Sequence, residues 1–216
     1  APSALRSRSR IDLGVELRRD HGTAKTRGAV VHAWLEELDW LDTSALPRDR
    51  LLAIARQQGV DEASALRWAD WLLDRLQRPA LVACLSRASC LERGRQMWAR
   101  TAAATQPDEA LAEITLELQR ERTFAMREGD VLLQGALDRL LIWRSRGTPF
   151  AAEVLDFKTD HVATPAESAQ ALARHRPQIE AYCRAAARTW HLDISQVSGR
   201  IALLEPGEVH SLDDRF

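Results

Sequence analysis

Cysteine is scarce in this chain: Cys84, Cys90 and Cys183 are its three thiols in 216 residues. Their spacing matches no C-x-x-C metal knuckle, and three thiols do not make a disulfide framework. They read as small buried or surface thiols in a reducing compartment, so the expected location is cytoplasmic. Net charge is also small, with 30 basic residues against 31 acidic ones, formally −1. That counts against a free-standing nucleic-acid binder that works by bulk electrostatics, and leaves a local basic groove open. No apolar run approaches the roughly 20 residues that span a bilayer, so no membrane is expected as a partner. The first ten residues carry Arg6, Arg8 and Arg10 with no apolar stretch behind them, unlike a secretory signal. The first residue is Ala1 rather than Met, which points to a piece of a longer polypeptide.

What the chain does have is an ordinary globular composition, 45% apolar and 28% charged. That suits one large domain, or a domain with a helical extension. Residues 1–27 are arginine-rich and lack sustained periodicity, so a flexible lead-in or linker is expected, with order starting near Gly28. Residues 28–110 read as a helical region. Val31, Trp34, Leu35, Leu38 and Leu41 keep a helical period. A second helix is expected from Arg48 to Gln58, stopping at Gly59. Asp61 caps a third, which Pro79 ends, and a short helix follows around Leu81–Ser86. Residues 87–110, with Gly94 and Pro107, fit helix or loop.

Residues 111–216 read as a sheet core with helices. Loose alternation from Ile114 to Phe124, a strand over Val131–Trp143, a turn at Gly147 and a strand over Pro149–Lys158 make an antiparallel meander. A helix is expected from Pro165 to about Arg174. A second follows from Pro177, because proline suits a first turn, to Trp190. Val197–Leu204 and Glu208–Leu212 flank the Pro206-Gly207 turn as strands. The order is helices, three strands, helix, two strands, an α/β pattern.

Two runs carry chemistry: Gly135-Ala136-Leu137-Asp138 and Glu153-Val154-Leu155-Asp156-Phe157-Lys158. Alternation along a strand puts Asp156 and Lys158 side by side. Pairing of the runs as a hairpin brings Asp138 to them. Taken singly, such residues are solvated surface charges nine times in ten by rough estimate. On an apolar strand they need partners, and two carboxylates with one ammonium suit a divalent cation and phosphoryl chemistry. His32, on the first helix four residues before Glu36, is either a surface or satisfied core histidine or a cap on that site. Gln178 and Tyr182, also four apart, belong either to an ordinary amphipathic helix or to the wall of a cleft.

Four blocks together resemble the RecB-family nuclease domain of the PD-(D/E)XK superfamily, as found at the C-terminus of AddA-type and other UvrD/Rep-like helicase–nucleases. Gly28 to Glu36 resembles its G-x-x-x-H helix. Gly135 to Leu140 resembles its G-x-x-D strand. Val154 to Asp160 resembles its D-[YF]-K-T strand. Gln178 to Tyr182 resembles its Q-x-x-x-Y helix. Glu121 and Phe124 fit the E-x-x-F step on the preceding strand. The blocks occur in the family's order over residues 28–182.

The resemblance implies a mixed central sheet flanked by helices, with an N-terminal helical region. It implies His32, Asp138 and Asp156 as metal ligands, the Phe157 carbonyl as a further ligand, and Lys158 as the catalytic lysine beside Asp156 and Asp138. Gln178, Tyr182 and Glu121 would line the site and touch DNA. The implied cofactor is Mg²⁺ or Mn²⁺. Some relatives hold an iron–sulfur cluster through cysteines after the core. No cysteine follows Cys183, so none is expected here. His175 stands where the family often has tyrosine.

The implied activity is exodeoxyribonuclease V-like hydrolysis of single-stranded DNA ends, within a helicase–nuclease of double-strand break repair. The implied partners are DNA, helicase domains of the same polypeptide and a second, AddB-like subunit. Arg174, Arg176, Arg184 and Arg188 are the expected groove cations. The rival expectation is an inactive module that only binds DNA or a partner subunit. Such a module would have lost a ligand or the lysine, and this chain keeps them all.

Overall fold

A computed structural model describes residues 10–12, 22–102 and 113–212. The elements are β1 (Arg10–Asp12), α1 (Gly22–Glu36), α2 (Arg48–Gln57), α3 (Glu62–Arg75), α4 (Pro79–Leu85) and α5 (Arg87–Ala102). Then follow β2 (Ile114–Glu128), β3 (Val131–Ser145), β4 (Thr148–Lys158), α6 (Pro165–Trp190), β5 (Val197–Leu203) and β6 (Glu208–Ser211).

The three expected strands form the antiparallel meander β2–β3–β4. β5 lies parallel to β4 and is reached through α6, because a parallel neighbour needs a crossover. β6 returns antiparallel to β5. The strand order is β1-β3-β4-β5-β6, with β2 on the other edge of β3. Helices cover both faces of this mixed sheet. α1 to α4 pack around Trp34, Leu51 and Leu72 onto Leu155, Phe157, Ala202 and Leu204. α6 lays Ile179 and Tyr182 on Leu140, Ile142, Val154 and Ile201. No helix among the described residues is long and apolar enough to cross a membrane.

Order begins earlier than Gly28. α1 starts at Gly22, and Arg10–Asp12 pairs parallel with Leu132–Gln134 of β3. β4 covers that edge of β3 only from Arg139 onward, which leaves backbone groups that β1 satisfies. The rest of the expected lead-in, 1–9 and 13–21, lies outside the described residues.

The segment that fitted helix or loop is helix from Arg87 to Ala102, and the helix break expected before Pro177 does not occur. α5 runs through Gly94, which serves close packing. A Cβ there would sit 2.1 Å from Cδ1 of Trp143, whose indole donates to the Cys90 carbonyl at 2.9 Å. α6 is one helix with Pro177 inside it. Proline removes one N–H and crowds the carbonyl four residues back. Burial on both sides of it, Ala171 and His175 before, Gln178, Ile179 and Tyr182 after, holds the two halves on one line.

A candidate metal centre where two strands kink together

β2 and β3 stay in step along their length, yet one pair is missing. Arg120 pairs with Arg139 and Arg122 with Leu137, so Glu121 falls opposite Asp138 without a ladder pair. Pairing of β3 with β4 also stops at Arg139↔Leu155, one residue short of Asp138. Side-chain phase reverses at this point. Leu140 and Ile142 join the α6 layer while Leu141 and Trp143 pack with Cys90 on the opposite face. Below the kink it is Leu137 and Gly135 that meet the α6 layer. In β2, Leu116 and Leu118 pack with Trp143, whereas Phe124 packs edge-on against Tyr182, ring centres 5.5 Å apart. The backbone makes this turn at Glu121, whose φ is +45°. Such a conformation costs a non-glycine residue about 1–2 kcal/mol and clusters at functional sites.

The kink turns both carboxylates toward α1. One ligand atom from each of His32, Glu121 and Asp138 lies within 4.8 Å of the others. Donors about 2.1 Å from one ion sit about 3–4 Å apart, so this imidazole and two carboxylates fit a divalent cation. His32 Nδ1 is 3.4 Å from Asp138 Oδ2. That same oxygen accepts the Phe157 N–H at 2.8 Å. Asp138 therefore replaces the hydrogen bond that the splayed β3–β4 ladder no longer supplies.

Beside this group runs a polar chain. Lys158 Nζ lies 2.6 Å from Asp156 Oδ2, as the shared strand face requires. Lys158 Nζ donates to Gln178 Oε1 at 2.9 Å, and Gln178 Nε2 donates to the Tyr182 hydroxyl at 2.6 Å. Gly135 makes room for the end of this chain. A Cβ there would stand 3.1 Å from the Tyr182 ring and 3.2 Å from that of Phe124.

Charges inside the site pull its carboxyls apart. Burial raises the Asp138 pKa, but His32, Lys158 and the Phe157 N–H outweigh it and hold it below the usual carboxylate range. Asp156 is held above that range by burial, with Asp138 adding to the effect and Lys158 opposing it. Burial opposes protonation of His32, yet Asp138 and Asp156 raise its pKa above the ordinary value. A bound cation inverts such preferences, since it is the largest local charge.

Of the residues expected in a site, His32, Asp138 and Glu121 converge in the three-residue donor group. Asp156 faces Lys158, and Phe157 enters through its backbone N–H while its side chain lies in the core. Gln178 and Tyr182 stand behind Lys158. Glu121 was expected only to line the site. Its place beside His32 depends on the positive φ, for which glutamate gives no sequence signal. Glycine takes that φ freely. Glu121→Gly is therefore expected to keep or raise the unfolding temperature while weakening Mn²⁺ binding. Thermal unfolding beside calorimetry checks this, and a melting point several degrees lower would show that the carboxylate holds the fold.

His175, the departure from the resembled motif, is buried and meets Asp160 Oδ2 through Nε2 at 3.1 Å. The four expected groove arginines all have partners within the chain. Arg174 meets Asp160 at 3.1 Å, Arg176 meets Glu180 at 3.8 Å and Arg184 meets Glu128 at 2.8 Å. Arg188 donates to the Arg127 carbonyl at 2.9 Å.

No curated protein matches the chain closely enough to count as a relative. The sequence profile of the PD-(D/E)XK nuclease superfamily matches residues 5–213, which include every strand and helix described above. The matched stretch includes the kinked strands and His32, Glu121, Asp138, Asp156, Lys158 and Gln178, and this chain belongs to the PD-(D/E)XK nuclease superfamily.

Proposed function

We propose that this chain is a Mg²⁺- or Mn²⁺-dependent deoxyribonuclease that degrades single-stranded DNA from its ends. The observation that carries the reading is the convergence of His32, Glu121 and Asp138 beside the Lys158–Asp156 pair. His32, Glu121, Asp138 and, after a rotation away from Lys158, Asp156 would hold the ion. A divalent cation bound there would supply Lewis acidity at the phosphate and an acidified water. The imidazole favours Mn²⁺ somewhat over an all-oxygen site. Lys158 brings a fixed positive charge to the scissile phosphate, where negative charge grows in the transition state. Gln178 aims that ammonium, and the Tyr182 hydroxyl fixes the amide of Gln178.

The strand would enter along the edge of β2 that pairs with no other strand among the described residues. Phe124 is partly exposed there, and its ring offers a stacking surface for a base. Arg122, next to Glu121, is exposed and forms no ion pair among the described residues. As a phosphate contact it should act on binding alone. Arg122→Ala is expected to raise KM for single strands with kcat unchanged. It should also flatten the salt dependence of log kcat/KM by about 0.7. Unchanged salt dependence would remove Arg122 from the path.

A formal charge of −1 supports delivery of the DNA by another part of the machine. Non-specific affinity comes from releasing counterions with many basic contacts, and a fused motor replaces it with effective concentration. We therefore propose that the chain works within a RecB-family helicase–nuclease of break repair, with helicase domains on the same polypeptide and an AddB-like partner subunit. End dependence is tested with labelled linear single strands, closed single-stranded circles and blunt duplex. Linear strands should be shortened, while circles and duplex persist. Equal loss of the circles would make the enzyme an endonuclease.

A further inference from the structure

Arg139 is 1% exposed, yet no carboxylate forms an ion pair with it among the described residues. Its guanidinium donates to the Leu38 carbonyl at 2.9 Å and to the Asp39 carbonyl, and lies 4.7 Å from the centre of the Trp40 ring. Burial lowers its pKa to about 10, which leaves it charged at neutral pH. A buried charge held only by carbonyls and an indole is a costly way to fill space. Its cross-strand partner Arg120 does similar work from the surface. Arg120 donates to the Glu36 carbonyl and meets the Asp39 carboxylate at 3.0 Å.

Those three carbonyls are at and just beyond the C-terminal end of α1, where the helix has no N–H groups left to offer. Cations at such an end satisfy both the carbonyls and the helix dipole. His32 is one turn back on the same helix. The two strands thus hold α1 twice. Glu121 and Asp138 meet it at His32, and the residues beside them in sequence, Arg120 and Arg139, grip its end.

We propose that Arg120 and Arg139 form a positioning clamp that sets the height and rotation of α1, so that His32 reaches the two carboxylates. This rests on the metal-site reading above. The clamp residues touch neither the ion nor the DNA, and their effect passes through His32. Supporting groups of this kind cost about 10–100-fold in metal affinity when removed.

The test is a double-mutant cycle read by calorimetry with Mn²⁺ alone, on the whole chain. Arg120→Ala should weaken Mn²⁺ binding about 10-fold. His32→Ala should weaken it further, and the double variant should bind no worse than His32→Ala. Arg120 is chosen because it is exposed. Arg139→Lys, added at temperatures where unfolding curves show it folded, should follow the same pattern. Additive losses, or an unchanged affinity in Arg120→Ala, would overturn the clamp while leaving the metal site standing. Failure of the wild-type chain to bind Mn²⁺ would overturn the metal-site reading, and the clamp with it.

Discussion

Lys158→Met is expected to lower the rate of DNA cleavage by about 10²–10³-fold with the fold intact, the scale of losing one preorganised charge in a dry site. Two effects combine. The ammonium no longer faces the phosphate. Asp156, already held above the usual carboxylate range by burial, also loses the charge that opposes its protonation. Raising the pH should return part of the second loss and none of the first. Lys158 has partly exposed surroundings and sits at the end of β4, so methionine can occupy its path without opening a cavity. Steady-state kinetics on a labelled single strand, with circular dichroism as the check on folding, measures the outcome. A loss below about 3-fold would remove Lys158 from the chemistry.

Glu153→Ala should do the opposite, harming stability and sparing chemistry. Glu153 is three residues before Asp156, and alternation sends it to the other face of β4. There it is 2% exposed and meets Arg93 of α5 and Arg200 of β5, each at 3.0 Å. Arg93 also donates to the Ala83 carbonyl at 2.8 Å, so the triad joins α4, α5, β4 and β5. Removing the acid strands two guanidinium groups that are only about a fifth exposed. Breaking a buried pair costs about 3–5 kcal/mol, and partial exposure places this case near 3. For a chain of this size that lowers Tm by roughly 6–12 °C. Differential scanning calorimetry reads the shift. Cleavage at low temperature should stay near the wild-type rate. A shift under 2 °C would mean that water replaces the carboxylate.

The two acids of β4 show how far sequence reasoning reaches. Charges on an apolar strand need partners, and both have them, on opposite faces and for different ends. The side-by-side placement of Asp156 and Lys158 is readable from a period of two, and that of Gln178 with Tyr182 from a period near four. These are local rules, and the structure keeps them at 2.6 Å in each case. What is not readable involves distant chain. Strand alternation fails at Glu121 and Asp138 because both strands kink at one level. The start of α5 is ambiguous in sequence because its cap, Asp42, comes from far upstream. Asp42 accepts N–H bonds from Arg87 at 2.8 Å and Ala88 at 3.0 Å, which hold its pKa at about 2 against desolvation. Gly94 leaves helix or loop open and Pro177 looks like a break until the Trp143 ring and the buried face of α6 account for them. Arg139, next to a recognisable aspartate, carries no sign of where its guanidinium goes.

Asp138 joins His32, the Phe157 backbone and the kink. The deciding measurement is Mn²⁺-dependent shortening of an end-labelled linear single strand by the wild-type chain and by Asp138→Asn. The expected result is cleavage by the wild-type chain that chelator stops, and no cleavage by folded Asp138→Asn. Cleavage by Asp138→Asn at the wild-type rate, or cleavage that persists in chelator, would contradict it.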